Sequence, residues 1–112
     1  MTLADQTCQP CRGGVPPLTH AQIAPLAAQV PEWEVVEDHH LRRSFGFPDF
    51  AGALAFVNAI GAEAERQGHH PDLELAWGRV VATLYTHKID GLAEADFILA
   101  ARIDRLHAPH TR

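Results

Sequence analysis

Apolar positions in this chain recur first at helical spacing and then in alternation, and the two rhythms exchange four times. Ile23, Leu26 and Val30 lie along one side of a helix beginning at Thr19, where Thr19 and Gln22 have the spacing of a capping box. Pro25 removes one interior hydrogen bond, so this helix is expected to be short or bent and to end before Pro31. Trp33 to Val36 and Leu41 to Phe47 are strand-like runs joined by the polar stretch Glu37-Asp38-His39-His40, the pattern of an antiparallel hairpin. Pro48-Asp49 opens the strongest helix, with Asp49 as its N-cap. Phe50, Leu54, Val57, Gly61 and Ala64 mark one stripe, flanked by Phe56 and Ile60, and the small residues let another element come close. Gly68 caps the end of this helix and Pro71 prevents its resumption.

Leu73 to Trp77 and Val80 to His87 form a second strand pair turning at Gly78-Arg79, the latter run rich in β-branched and aromatic residues. Alternation places Val81, Thr83, Tyr85 and His87 on one face and Val80, Ala82, Leu84 and Thr86 on the other. After the turn Asp90-Gly91, a last helix is expected from about Leu92 to Leu106, with Leu92, Leu99, Ile103 and Leu106 as its apolar stripe. The order α-β-β-α-β-β-α implies an α+β fold, a four-stranded antiparallel sheet with three helices packed on one face. Exposed strand edges or helix faces in such a fold offer an easy route to oligomers.

A chain of 112 residues holds one modest core, assigned to residues 18–112. Residues 1–17, rich in Gly and Pro and without apolar period, read as a flexible tail. No apolar run approaches the ~20 residues of a membrane span, and no charged-then-apolar leader pattern opens the chain, so the expected location is the cytoplasm. A net charge of −5 with scattered Lys and Arg argues against nucleic acid as a partner. Cys8-Gln9-Pro10-Cys11 supplies two ligands where structural zinc takes four; His20 as a third would require the Gly/Pro-rich tail to fold back. Free thiols in a mobile tail are the leading reading, with a metal or regulatory clip and disulfide chemistry as alternatives.

Eight histidines are many for this length. His39-His40, His107 and His110 fall in polar or terminal surroundings and read as surface residues. His69 and His70 sit just past a helix C-terminus, whose dipole favours imidazolium, and His87 ends a strand. Imidazole exchanges protons near neutrality, so convergence of these three would make a proton-transfer site. Asp96 falls on the apolar stripe of the last helix, where a half-buried carboxylate needs a partner such as an imidazole N–H. It also suits the helix dipole, but Ala93 lacks the hydroxyl of a capping box. Adjacent histidines project divergently from a turn and no further ligand stands at standard spacing, so no metal site is expected.

The run Glu65-x-x-x-His69-His70-Pro71, then Trp77, Thr86-His87 and Gly91-Leu92-x-x-x-Asp96, resembles the pterin-4a-carbinolamine dehydratases. The Trp33 hairpin, Phe47-x-Asp49-Phe50 and the N-terminal C-x-x-C extend the likeness over nearly the whole chain. The resemblance implies dimers or tetramers and dehydration of 4a-hydroxytetrahydropterin to quinonoid dihydropterin, without metal or organic cofactor. It links the activity to recycling of the pterin used by an aromatic amino acid hydroxylase. It further implies His69 and His87 as an acid/base pair with His70 binding and orienting the substrate. Pro71, Thr86, Lys88 and Ile89 would contact the pterin, with Glu65, Asp96 and Trp77 behind them. Asp72-Leu73-Glu74 replaces aromatic residues found in many animal members, and Ala93 replaces a common Ser. Relatives that act as a transcription-factor dimerisation partner or an enzyme assembly factor tend to lose parts of the histidine set. This chain keeps all three and Asp96, which favours the enzyme.

Overall fold

The computed structural model describes residues 2–8 and 15–107. Helix α1, His20–Ala27, starts where Thr19 Oγ1 accepts the Gln22 N–H and the Gln22 side chain reaches back, the capping box read from the sequence. Strands β1 (Glu34–Val36) and β2 (His40–Gly46) follow, then helix α2 (Phe50–Gln67), strands β3 (Asp72–Ala76) and β4 (Arg79–Leu84), and helix α3 (Glu94–His107). The strands form one antiparallel sheet in the order β1-β2-β4-β3. Asp49 accepts the Gly52 N–H at the start of α2, and Gly68 ends it in the left-handed conformation at φ 65°.

The β2–β4 register sets Leu41 opposite Leu84 and Phe45 opposite Val80, so one sheet face is apolar. With Ala82 these side chains join Ala53, Phe56 and Ile60 of α2 and Phe97, Leu99 and Ile103 of α3 in one core. Arg42, Ser44, Glu34 and Glu74 line the other face and are exposed. His107, expected at the surface, lies against the Phe45 ring at 4.8 Å. Among the described residues, no helix is long and apolar enough to cross a membrane.

Two expectations are corrected. The buried side of α2 is Ala53, Phe56, Ile60 and Ala64, whereas Phe50 and Leu54 of the expected stripe are 43% and 40% exposed. Apolar residues cover most of this helix, so the period alone does not choose which side faces the sheet. Residues 2–8, assigned to a flexible tail, instead pack on α3. Leu3 and Cys8 are buried, Arg102 donates to the Gln6 carbonyl (2.8 and 3.1 Å), and Arg105 pairs with Asp5. The Cys8 N–H donates to Gln67 Oε1 (3.0 Å) and its thiol to the Ala95 carbonyl (3.5 Å). Two apolar anchors five residues apart have no period to betray them. Burial pushes the Cys8 thiol up to about 11, so it is held protonated and is no nucleophile at neutral pH. Cys11 lies outside the described residues. Below this segment, Glu63 receives Arg66, Gln67 and Arg102. Burial pushes its carboxyl up, but these partners together hold it below the usual carboxylate range.

Between β4 and α3, Thr86 and Gly91 exchange two backbone hydrogen bonds (2.8 and 3.4 Å) and close a short loop. A Cβ on Gly91 would stand 2.5 Å from the Pro17 ring, which the Leu18 N–H to Leu92 carbonyl bond (2.8 Å) holds in place. Gly91→Ala is therefore expected to destabilise the fold by about 1–3 kcal/mol, read as a fall in Tm, because a proline ring cannot swing aside.

Candidate active site

β3 and β4 are paired with Asp72 opposite Thr83, so the residues before β3 and those after β4 leave the sheet at the same end. The first group is Gly68-His69-His70-Pro71, turned out of α2 by the left-handed glycine; the second is Tyr85-Thr86-His87. Gly91 then turns the chain into α3, whose first turn carries Asp96 to the same place.

Asp96 is wholly buried, and its carboxylate accepts three hydrogen bonds. His69 Nε2–H donates to Oδ1 (2.6 Å), and the Thr86 hydroxyl (2.8 Å) and Ala93 N–H (2.9 Å) donate to Oδ2. Asp96 thus performs both roles that the sequence set against each other: it caps α3 through the Ala93 backbone and it holds a histidine. No hydroxyl at position 93 is needed, because the carboxylate reaches back on its own. With its Nε2–H committed, neutral His69 presents a bare Nδ1 able to accept a proton. The His69 side chain is 14% exposed, so it is shielded but reachable.

His70 differs. Its Nε2 pairs with Glu65 Oε2 and both side chains lie in solvent, where an ion pair contributes little to stability. His87 is exposed on a single 3-10 turn, His87–Ile89, with its ring stacked on Tyr85 at 4.2 Å and 24°. Lys88 is exposed, and Pro71 and Ile89 are half-buried around the same end of the sheet. Thr86 is buried, with its hydroxyl turned to Asp96 and its backbone N–H and carbonyl bonded to Gly91.

Trp77 is the misplaced member of the expected set. It lies in the β3–β4 turn and is 69% exposed, at the opposite end of the hairpin from Asp72. Five residues of extended chain put it roughly 17 Å from the histidine end. Its own chain therefore does not bring it behind His69, His70 and His87. Tyr85 and Asp90, neither of them expected at the site, adjoin His87 instead, and His39 meets both of these; alternation along the expected strand Val80 to His87 had placed Tyr85 and His87 on one face. A concavity of about 300 Å³ between α1 and β1, lined by Ile23, Ala24, Ala27 and Val35, includes none of the candidate histidines.

The sequence profile of the pterin 4 alpha carbinolamine dehydratase family matches residues 16–106. A provisionally named pterin-4-alpha-carbinolamine dehydratase of Rubrobacter xylanophilus is 58% identical over 104 residues, 93% of this chain and 97% of the relative. A protein of the same provisional name from Halorhodospira halophila is 47% identical over 109 residues, covering 96% of this chain and all of the relative. Among solved structures, a transcriptional coactivator/pterin dehydratase from Brucella melitensis superposes with a TM-score of 0.76 at 31% identity, over 80% of this chain and 97% of that one. A pterin dehydratase-like protein described as a RuBisCO assembly factor of the alpha-carboxysome gives 0.57 at 28% identity, over 68% and 87%. With that coverage and that identity on the four-stranded, three-helix frame described above, the chain belongs to the pterin 4 alpha carbinolamine dehydratase family.

Proposed function

We propose that this chain dehydrates a 4a-hydroxytetrahydropterin by histidine acid/base catalysis. The observation that carries the reading is the buried Asp96 carboxylate, which holds His69 Nε2–H at 2.6 Å and leaves Nδ1 for chemistry. In the reaction the carbon–oxygen bond of the carbinolamine breaks. The hydroxyl departs as water after gaining a proton, and the adjacent ring nitrogen loses its proton as the carbon–nitrogen double bond forms. Two proton transfers and no change of oxidation state are required, and positioned imidazoles supply typically ~10²–10⁴-fold in such steps. His69 and His87 are assigned the transfers. His70, held by Glu65, orients the ring together with contacts from Pro71, Lys88, Ile89 and Thr86. The product would return to the pterin pool of an aromatic amino acid hydroxylase. The exposed apolar residues Phe50 and Leu54 on α2 support a homo-oligomer as the working form.

A second, non-catalytic reading is favoured by the two solved neighbours, one named in part as a coactivator and the other as an assembly factor. Stopped-flow decay of enzymatically generated 4a-hydroxytetrahydropterin separates the readings. The dehydratase accelerates this decay above its spontaneous rate. A folded protein that leaves the rate unchanged would overturn the enzymatic reading and favour the assembly role.

A further inference from the structure

We infer that His39, on the β1–β2 turn, is a positioning residue for His87, acting through Asp90 and Tyr85. The inference rests on the acid/base role proposed for His87, and its test separates the two. His87 stands on a three-residue turn at the surface, where an unsupported imidazole samples several rotamers. Two groups restrain it. Asp90 closes the turn by donating its N–H to the His87 carbonyl (3.2 Å), in a left-handed conformation (φ 49°, ψ 51°) that a non-glycine residue adopts at some cost. The Tyr85 ring stacks on the imidazole itself.

Both restraints lead to His39. Its Nε2–H donates to Asp90 Oδ1 at 2.7 Å, and its ring lies 4.8 Å from that of Tyr85. An exposed pair such as His39–Asp90 contributes little alone. Here the same imidazole grips the turn through its carboxylate and the stacked ring from the side, so movement of the turn disturbs both contacts together. His39 is itself fixed at its other nitrogen. With Nε2–H committed to Asp90, neutral His39 has an acceptor at Nδ1, and His40 Nδ1–H donates to it at 3.0 Å. The backbone beneath is equally defined: Glu37 and Asp38 are both left-handed (φ 54° and 53°), and the His39 N–H donates to the Val36 carbonyl (2.8 Å). A strand turn 48 residues earlier in sequence, by the numbering of His39 and His87, thus buttresses a candidate proton-transfer group.

The consequence is kinetic. Orientation of a reacting group governs how often the bound complex is productive, so loss of the buttress lowers kcat and leaves KM nearly unchanged. His39→Ala and Tyr85→Leu are each expected to lower kcat about 3–10-fold, and Tyr85→Phe, which keeps the ring, restores it. In a His87→Ala background, His39→Ala should add nothing, because its effect passes through the imidazole. The side-chain proton resonances of His87 give a readout independent of turnover. The Tyr85 ring current should displace them in the wild type, and the displacement should shrink in His39→Ala and vanish in Tyr85→Leu. If His39→Ala lowers kcat equally with and without His87, or leaves the His87 resonances in place, the inference is overturned. If His87→Ala alone leaves kcat intact, the catalytic role of His87 fails, and the resonances alone then decide whether His39 positions it.

Discussion

His69→Ala is expected to lower kcat by roughly 10²–10⁴-fold, the loss typical of a positioned general acid or base. The assignment rests on the fixed direction of the ring. Its Nε2–H donates to Asp96, which leaves Nδ1 as the nitrogen able to accept a proton. Alanine removes the proton-transfer group and also leaves one Asp96 oxygen without its donor, which costs about 1–3 kcal/mol of stability. The two effects can be separated with His69→Gln, whose side-chain amide can still donate to Asp96 but cannot carry a proton. His69→Gln should melt closer to the wild type than His69→Ala and turn over as slowly. Stopped-flow kinetics with thermal melts by circular dichroism checks both statements. Wild-type kcat in the Gln variant would reduce His69 to a structural hydrogen-bond donor.

The parts of this protein that were legible in the sequence are those set by local chemistry. Thr19 with Gln22, Asp49 and Gly68 each satisfy a helix terminus from within a few residues, and the boundaries of α1 and α2 follow directly. The strand pairs were legible because one face of the sheet is buried and the other polar. His69 and Asp96 could be suspected together because one follows a helix end and the other interrupts an apolar stripe. What escaped depends on contacts between distant segments. Nothing near His39 reveals that Asp90 will meet it, so it read as a surface residue. The buried side of α2 is chosen by the sheet it meets, since the helix is apolar nearly all round. The segment carrying Leu3 and Cys8 is anchored by Arg102 of α3 at Gln6 and by Gln67 of α2 at Cys8, partners almost the length of the chain or half of it away. Trp77 is the converse case: likeness in sequence grouped it with the histidines, and within one chain the hairpin carries it to the other end of the sheet.

Asp96→Ala should cause the largest loss of stability of any single change at the site. Three donors converge on that carboxylate, and removing it leaves the buried Thr86 hydroxyl and the part-buried Ala93 N–H and His69 Nε2–H without their acceptor. The expected cost is about 3–5 kcal/mol, similar to breaking a buried pair at one partner. For a domain of this size, that corresponds to a fall in Tm of roughly 12–30 °C. Asp96→Asn separates support from chemistry. Its amide oxygen can still accept from Thr86 and Ala93, so the fold should survive with a much smaller loss. Its NH₂, however, presents a donor where His69 now donates. The imidazole must respond by holding its proton on Nδ1, which inverts the tautomer offered to the substrate. Asp96→Asn is therefore expected to stay folded and lose at least about tenfold in kcat, since the wrong nitrogen then faces the substrate. Wild-type kcat in that variant would mean that Asp96 only caps α3. A folded, slow enzyme would mean that the charge of one wholly buried carboxylate sets which nitrogen of His69 does the work.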